Sequence, residues 1–262
     1  RAHGLRKKIF AVLSLGWTGE YELWRHYTRG YLFFAALATP LVISVHSVVS
    51  WDFALGVVPG WHTTIFAPYF VAGAIHSGLA MVVTLMIPLR KMFHYEAIIT
   101  DHVLESVAKT IIFTGLIVGF AYGTEIFIAW YSRNPVEMES FYWRAFGDYS
   151  LEYWIMVVCN TVIPLLLLFK KIRTHIPTLF VISICVNIGM WYERFVIIIG
   201  SVAHDFLPHA WGLYRPTLIE FGIMIGSFCL FFFLFVLFCK HLPSVSMTEM
   251  KETLNEGESH AG

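Results

Sequence analysis

The stretch that decides the fold is SVHSVVSWDFALGVVPGWHTTIFAP, residues 44–68. An apolar run ends here with His46 and Asp52, a turn rich in Pro and Gly follows, and apolar sequence resumes at Tyr69. An acid and a histidine at the end of a membrane-spanning helix are costly to place, so they indicate partners or a function. The stretch therefore predicts two spanning helices joined at the rim of a site that handles protons.

Composition places most of this chain in lipid. Hydrophobic residues make up 57% of the 262 residues and charged residues only 14%, whereas soluble domains carry about 25% charged residues. The formal net charge is zero, and no basic run indicates a nucleic-acid partner. The four cysteines lie in apolar stretches without metal-ligand spacing, which predicts packing roles and no metal site.

Six apolar stretches approach the ~20 residues that a spanning helix needs. They cover residues 30–52, 68–88, 104–131, 150–169, 176–202 and 216–240. Helices are favoured over barrel strands because the runs are continuous and lipid demands backbone pairing within each segment. The predicted fold class is all-α, a polytopic transmembrane helix bundle with six spans.

Charge distribution predicts the organisation around these spans. Residues 1–28 are basic and amphipathic, which is typical of an interfacial segment; residues 29–242 form the bundle, and residues 243–262 form a polar tail. Lys and Arg concentrate in both terminal segments and in the loops after the second and fourth spans, so both chain ends are predicted to be cytoplasmic. The chain begins without an initiator Met, which predicts the second part of a longer subunit or a partner half on a separate chain.

Ionisable residues inside the spans form an outer layer. With a helical rise of ~1.5 Å per residue, this layer contains Asp52, His46, Glu125, Glu193, Arg194, Glu220 and, with low weight, His76. Each acid alone could reach water or accept a structural hydrogen bond, and a lone His is more often a packed hydrogen-bonding residue than a ligand. Five helices contribute to one layer, however, which favours a proton route.

Arg194 is predicted to pair with an acid of another helix, Glu125 or Glu220, because an unpaired guanidinium is too costly in a bundle. A second group lies at the inner side. Asp101, Glu105 and Lys109 follow at i, i+4 and i+8, so they share one helix face and Glu105 can pair with Lys109. This group is either a neutralised pair that stabilises the bundle or an inner proton route.

Long motifs carry a resemblance to a known family. HSVVSWDFA at 46–54 and PGWHTTIFAPYFVAGAI at 59–75 resemble the large membrane subunits of alternative complex III, within the NrfD/polysulfide-reductase membrane-subunit family. FIAWYS at 127–132, NIGMWYERF at 187–195 and DFLPHAWGLYRPT at 205–217 extend the resemblance over essentially the whole chain. The PGWHTTIF turn and the LPSVSMTEMK tail resemble the ActC type more than the homologous ActF type.

The resemblance implies that this chain is the C-terminal part of a roughly ten-helix subunit of the bacterial inner membrane. It implies that the chain binds no redox cofactor, that quinol is the substrate, and that electrons pass to an ActB-like iron–sulfur subunit and then to haem c subunits. An ActF-like membrane subunit, lipids and the missing N-terminal half would be its other neighbours. Asp52, with His46, best fits the quinol pocket or proton route, whereas His76 departs from the family's apolar residue.

Other functions remain open at this point. The chain could be an ActF-type proton-conducting subunit, a plain NrfD-like membrane anchor, or an ion-coupled transporter or channel with an acid–arginine gate. It could also bind haem b between His46 and His76. Asp52 could act structurally by capping the turn at residues 53–55.

Overall fold

The computed structural model describes residues 4–56, 58, 60–61, 65–204, 207, 209 and 211–242. These residues form helices, turns and irregular segments, with no strand in the described ranges. Their contacts divide them into two compact units, residues 4–44 and residues 45–242, which we call unit 1 and unit 2. The predicted polar tail lies outside the described residues.

The prediction of six spans is confirmed, since six helices within the described residues are long and apolar enough to cross a membrane. They are α2 (Tyr21–Ala54), α3 (Phe66–Met92), α4 (Asp101–Ser132), α6 (Ser150–Leu168), α8 (Ile176–Ala203) and α9 (Leu218–His241). The described residues also form three shorter helices: α1 (Leu5–Leu13), α5 (Pro135–Phe146) and α7 (Lys170–Arg173). The chain is thus an all-helical, multi-pass membrane protein.

Unit 1 contains α1 and the beginning of α2, and α2 starts nearer the N-terminus than its apolar stretch. Hydropathy marks only the part of a helix that suits lipid, while backbone pairing continues through the polar turns before it. An ion pair of 2.9 Å between Glu22 and Arg25 lies on the first turns of α2. Trp17 packs edge to face on Trp24, with ring centroids 5.1 Å apart.

Unit 2 has its core where α3, α4 and α8 pack together. Small residues on α4 allow the helices to approach closely. A β-carbon added at Gly119 would come within 2.6 Å of Thr161 on α6, and one at Gly115 within 3.1 Å of His76 on α3. Gly123, four residues after Gly119, meets nothing within 4 Å, although Ala129 in the last turn of α4 is buried again.

Two spanning helices contain a π-helical segment, Val158–Val162 in α6 and Val196–Gly200 in α8. Pro164 follows the first segment and has no N–H to donate to the carbonyl four residues earlier, which belongs to Asn160. π-Segments are rare and frequently occur at functional sites. Here the buried Asn160 lies within the first segment, and the buried Glu193 lies three residues before the second.

Candidate functional site: a buried glutamate cluster

A hydrogen-bonded group lies inside unit 2, nearer the end where α3 begins and α4 ends, which we call the Trp61 end. The Tyr122 hydroxyl donates to Glu193 Oε2 at 2.5 Å. Asn160 Nδ2 donates to the Tyr122 hydroxyl at 2.9 Å and approaches Glu193 Oε2 at 3.3 Å. Glu193 is 1% exposed and Asn160 is fully buried. These three residues with Tyr69 are the glutamate cluster.

Tyr69 completes the cluster from α3. Its ring packs edge to face on Tyr122, with centroids 5.7 Å apart, and its side chain is 2% exposed. It also interacts electrostatically with Glu193. Each of α3, α4, α6 and α8 therefore contributes one member, and only the packed bundle brings the four together.

Local sequence explains why Asn160 reaches this position. Asn160 lies in the π-helical segment of α6. Gly189 lies on α8, one turn before Glu193. A β-carbon added there would clash with the Asn160 amide and would lie 2.6 Å from Cys159 Cβ. Only a residue without a side chain allows α6 and α8 to approach so closely at this level.

The predicted pairing of Arg194 with Glu125 or Glu220 is wrong. The ion pair of Arg194 is with its neighbour Glu193, Nη1 to Oε1 at 3.8 Å, and its guanidinium lies 4.1 Å from the centroid of the Phe70 ring. An aromatic face can stabilise a guanidinium by a cation–π interaction. The long Arg side chain folds back to a carboxylate on its own helix, which the sequence argument did not expect.

A buried arginine, Arg144, lies between the glutamate cluster and the Trp61 end. It is 5% exposed and donates from Nη2 to the Ser201 hydroxyl. Burial lowers the pKa of Arg144 and the charge of Glu125 opposes that shift, and a guanidinium stays protonated in proteins in any case. Glu125 is partly buried and interacts electrostatically with both Arg144 and Glu193. The charges of Glu193, Glu125 and Arg144 thus form one group.

Arg144 is carried by α5, a short helix with strong local signals. Asn134 caps it by accepting from the Val136 N–H at 3.1 Å, and Pro135 occupies its first position. The turn after α2 packs on Arg144. Gly60 in this turn has φ +82°, and a β-carbon there would come 2.8 Å from the guanidinium. Glycine is the residue that adopts this conformation and leaves this room.

The Trp61 side chain anchors the same turn. Its Nε1 donates to the carbonyl of Ile197 at 2.8 Å, within the π-helical segment of α8. Phe53, at the end of α2, packs on the Trp61 ring with centroids 5.0 Å apart. The turn that the sequence singled out therefore closes the Trp61 end of unit 2 over the polar group.

Asp52 lies in the last turn of α2 and is exposed, and His46 is half-buried on the same helix. Within the described residues Asp52 forms no hydrogen bond to the glutamate cluster. The alternative cap at residues 53–55 is also not observed there, since the Leu55 N–H donates to the Trp51 carbonyl. The structure thus places Asp52 at the rim of the site and apart from its buried core.

The remaining predicted residues have local partners. Glu220 is exposed and forms a capping box with Thr217, accepting its N–H at 2.6 Å. At the other end of unit 2, Asp101 pairs with Arg90 at 2.7 Å. The expected Glu105–Lys109 pair is confirmed at 3.2 Å.

Glu105 and His76 each have a further buried or partly buried partner. Arg173 also reaches Glu105, at 3.0 Å, which the spacing on one helix could not show. His76 is fully buried and its Nδ1 lies 2.9 Å from Thr114 Oγ1, which confirms the expectation of a packed hydrogen-bonding histidine.

Sequence reasoning missed Tyr69, Tyr122, Asn160 and Arg144. Asn160 had a usable signal, because it is the only amide in the apolar stretch 150–169 and polar residues inside spans are functional candidates. Asn134 and Pro135 also indicated the start of a helix, which is the helix that carries Arg144. The two tyrosines carried no signal that separates them from ordinary aromatic packing.

Comparison with known proteins places this arrangement in a family context. The family model described as "Polysulphide reductase, NrfD" matches residues 6–204, which include the whole glutamate cluster. The chain is also similar to a protein of Halobacterium salinarum that is named as a membrane subunit of a putative dimethyl sulfoxide reductase, with 24% identity over 242 residues. That similarity covers 82% of this chain and 54% of the relative, so the chain spans about half the length of the curated relative it matches.

Proposed function

The chain belongs to the NrfD (polysulphide reductase) family, and from that premise we propose that it is a membrane subunit of a quinol-oxidising electron-transfer complex of the alternative complex III type. In this proposal the ActC-like chain lies in the bacterial inner membrane and holds no redox cofactor. Electrons pass from quinol to an iron–sulfur subunit and onward to haem c subunits. The residues of this chain receive and conduct the protons.

The observation that carries the proposal is the buried Glu193 carboxyl, 1% exposed and bonded to the Tyr122 hydroxyl. Oxidation of a quinol releases two protons with its two electrons, so the complex needs bases within reach. A carboxylate held by a phenol and an amide can accept such a proton without leaving its site. Family membership supports the redox setting, and the cluster supports the proton task.

Proton passage would follow the charged group toward the Trp61 end. Glu193 interacts electrostatically with Glu125, and Glu125 with Arg144 beneath the turn of Gly60 and Trp61. Asp52 lies at the rim of that end and would exchange protons with water, with His46 beside it on α2. Buried carboxylates beside arginines are typical of proton relays in membrane proteins.

The test is the substitution Glu193→Gln in the intact complex. Glutamine keeps the size and can still hydrogen-bond to Tyr122, but it cannot take up a proton. Because general-base catalysis contributes about 10²–10⁴ in rate, quinol-dependent turnover is expected to fall by at least about 10² while the complex stays assembled. The matched control is Glu139→Gln on α5, an exposed acid, which should retain turnover. Wild-type turnover in an assembled Glu193→Gln complex would refute the proton role of Glu193 and would indicate that the chain is only a membrane anchor.

A further inference from the structure

An apolar cleft of about 670 Å³ runs along α9, where α9 faces α3 and α8 within unit 2. Its walls include Thr84 and Pro88 on α3, Trp191 on α8, and Phe221, Phe228 and Phe232 on α9. A narrower part of about 160 Å³ shares Thr84, Pro88 and Phe232 and continues to Cys239, near the end of α9. Ligand sites in proteins have volumes of about 300–1,000 Å³, so this space can hold a molecule. We call the two parts together the α9 cleft.

The side of α9 that borders the cleft is not covered by the described part of the chain. Phe221, Phe228 and Phe232 are each 41–45% exposed. Cys239 is the one buried residue of α9, all of whose residues are described. Protein interiors are close-packed, whereas here three large rings on a spanning helix border open space. In a membrane such a space is occupied by hydrocarbon or by another protein segment.

The dimensions of the cleft favour a hydrocarbon chain over a helix. A helix about 10 Å wide would occupy about 1,300 Å³ along the roughly 16 Å that separate Phe221 from Phe232, which is about twice the volume of the main part of the cleft. Thr84 and Asn187, polar residues of the wall, bond to each other at 2.9 Å. They therefore present little unsatisfied polarity to an apolar occupant.

The charges around the cleft differ between its two ends. Met92 and Cys239 line the end between the last turns of α3 and α9, and their neighbours in the chain are Lys91 and Lys240, both exposed. The acidic Glu152, from the first turn of α6, lines the part nearer the Trp61 end. A basic pocket between membrane helices can bind the headgroup of an anionic lipid. The lysine end is also the end that the charge distribution predicts to be cytoplasmic.

We propose that the lysine end of the α9 cleft binds one anionic phospholipid of the bilayer. The phosphate lies between Lys91 and Lys240, and an acyl chain enters the cleft past Val236 and Phe232. One leaflet contributes about 15 Å of hydrocarbon, which takes the chain about ten residues along α9, to the level of Phe228. The lipid thereby connects α9 to α3. The inference goes beyond the proposed function, because neither protons nor electrons take part.

The experiment uses the intact complex in bilayers of phosphatidylglycerol and phosphatidylcholine, followed by purification and counting of the bound lipid by mass spectrometry. Two lysines near the headgroup should favour phosphatidylglycerol at this site by about 30-fold. Lys91→Gln/Lys240→Gln should therefore retain one phosphatidylglycerol fewer per copy of the chain than wild type. The matched control, Lys170→Gln/Lys171→Gln, removes two exposed charges from α7 at the same end of unit 2 and should retain as much as wild type.

A second pair of variants tests the space itself. Val236→Trp places an indole in the narrow part of the cleft, so it should expel the chain and lower phosphatidylglycerol retention as the lysine variant does. Leu237→Trp is its control, because the two side chains are similarly exposed, 42% for Leu237 and 44% for Val236. Leu237 is not among the described residues that line the cleft, so this variant should keep the lipid.

Cryo-electron microscopy of the same complex should show a phospholipid in the cleft, with its phosphate beside Lys91 and Lys240. A protein segment in its place would overturn the inference, and so would wild-type retention in Lys91→Gln/Lys240→Gln and Val236→Trp. An equal loss in Lys170→Gln/Lys171→Gln would also overturn it, because the preference would then arise from net charge alone. The readout contains no turnover, so a failure of the proposed function leaves this test unaffected.

Discussion

Replacing Tyr122 by Phe tests the energetic centre of the glutamate cluster. The ring and its packing on Tyr69 remain, so the change removes one hydroxyl without a large cavity. Glu193 Oε2 loses the 2.5 Å hydrogen bond, and Asn160 Nδ2 loses one of its two acceptors. A hydrogen bond to a charged group contributes about 1.5–3 kcal/mol, which is the expected loss in the free energy of unfolding.

A double-mutant cycle isolates the Tyr122–Glu193 interaction. Unfolding is followed in mixed micelles for wild type, Tyr122→Phe, Glu193→Gln and the double variant. The coupling free energy should be at least about 1 kcal/mol, as expected for residues in direct contact. Tyr131→Phe, on the same helix with a side chain 75% exposed, should change stability by less than about 0.5 kcal/mol. A coupling free energy near zero would show that the hydroxyl and the carboxyl do not stabilise each other, and the reasoning about the cluster would be refuted.

Three further experiments test other parts of the structure. Gly189→Ala forces a β-carbon into the Asn160 amide, and overpacking should cost about 1–3 kcal/mol in the same unfolding assay; an unchanged stability would show that α6 and α8 are not in close contact there. Asp52→Asn in the assembled complex should lower quinol-dependent turnover by about 10²–10⁴ if the rim carboxylate takes up protons, and wild-type turnover would exclude that role. Glu105→Gln should lower the stability of unit 2 by about 1 kcal/mol, because it weakens the bond to the partly buried Arg173. Lys109→Met should change stability by less than about 0.5 kcal/mol, because that lysine is 56% exposed. Equal effects of the two substitutions would contradict the conclusion that Arg173 is the more important partner of Glu105.

The sequence by itself determined the spans, because the length and hydropathy of a segment are local properties that decide whether it can cross the bilayer. All six predicted stretches became helices of the described chain. The sequence also determined local pairs within one helix turn, as in Glu105 and Lys109, since the spacing i, i+4 places two side chains together whatever the rest of the chain does.

Only the tertiary structure decided which polar residues meet. Tyr122, Asn160 and Glu193 are separated by 38 and 33 residues, and every spanning helix is apolar on several sides, so periodicity does not show which face turns inward. Arg194 shows the limit of the argument most clearly. Its guanidinium does have partners, as expected, but they are the adjacent carboxylate and an aromatic ring of α3. Helix packing places the Phe70 ring centroid 4.1 Å from the guanidinium.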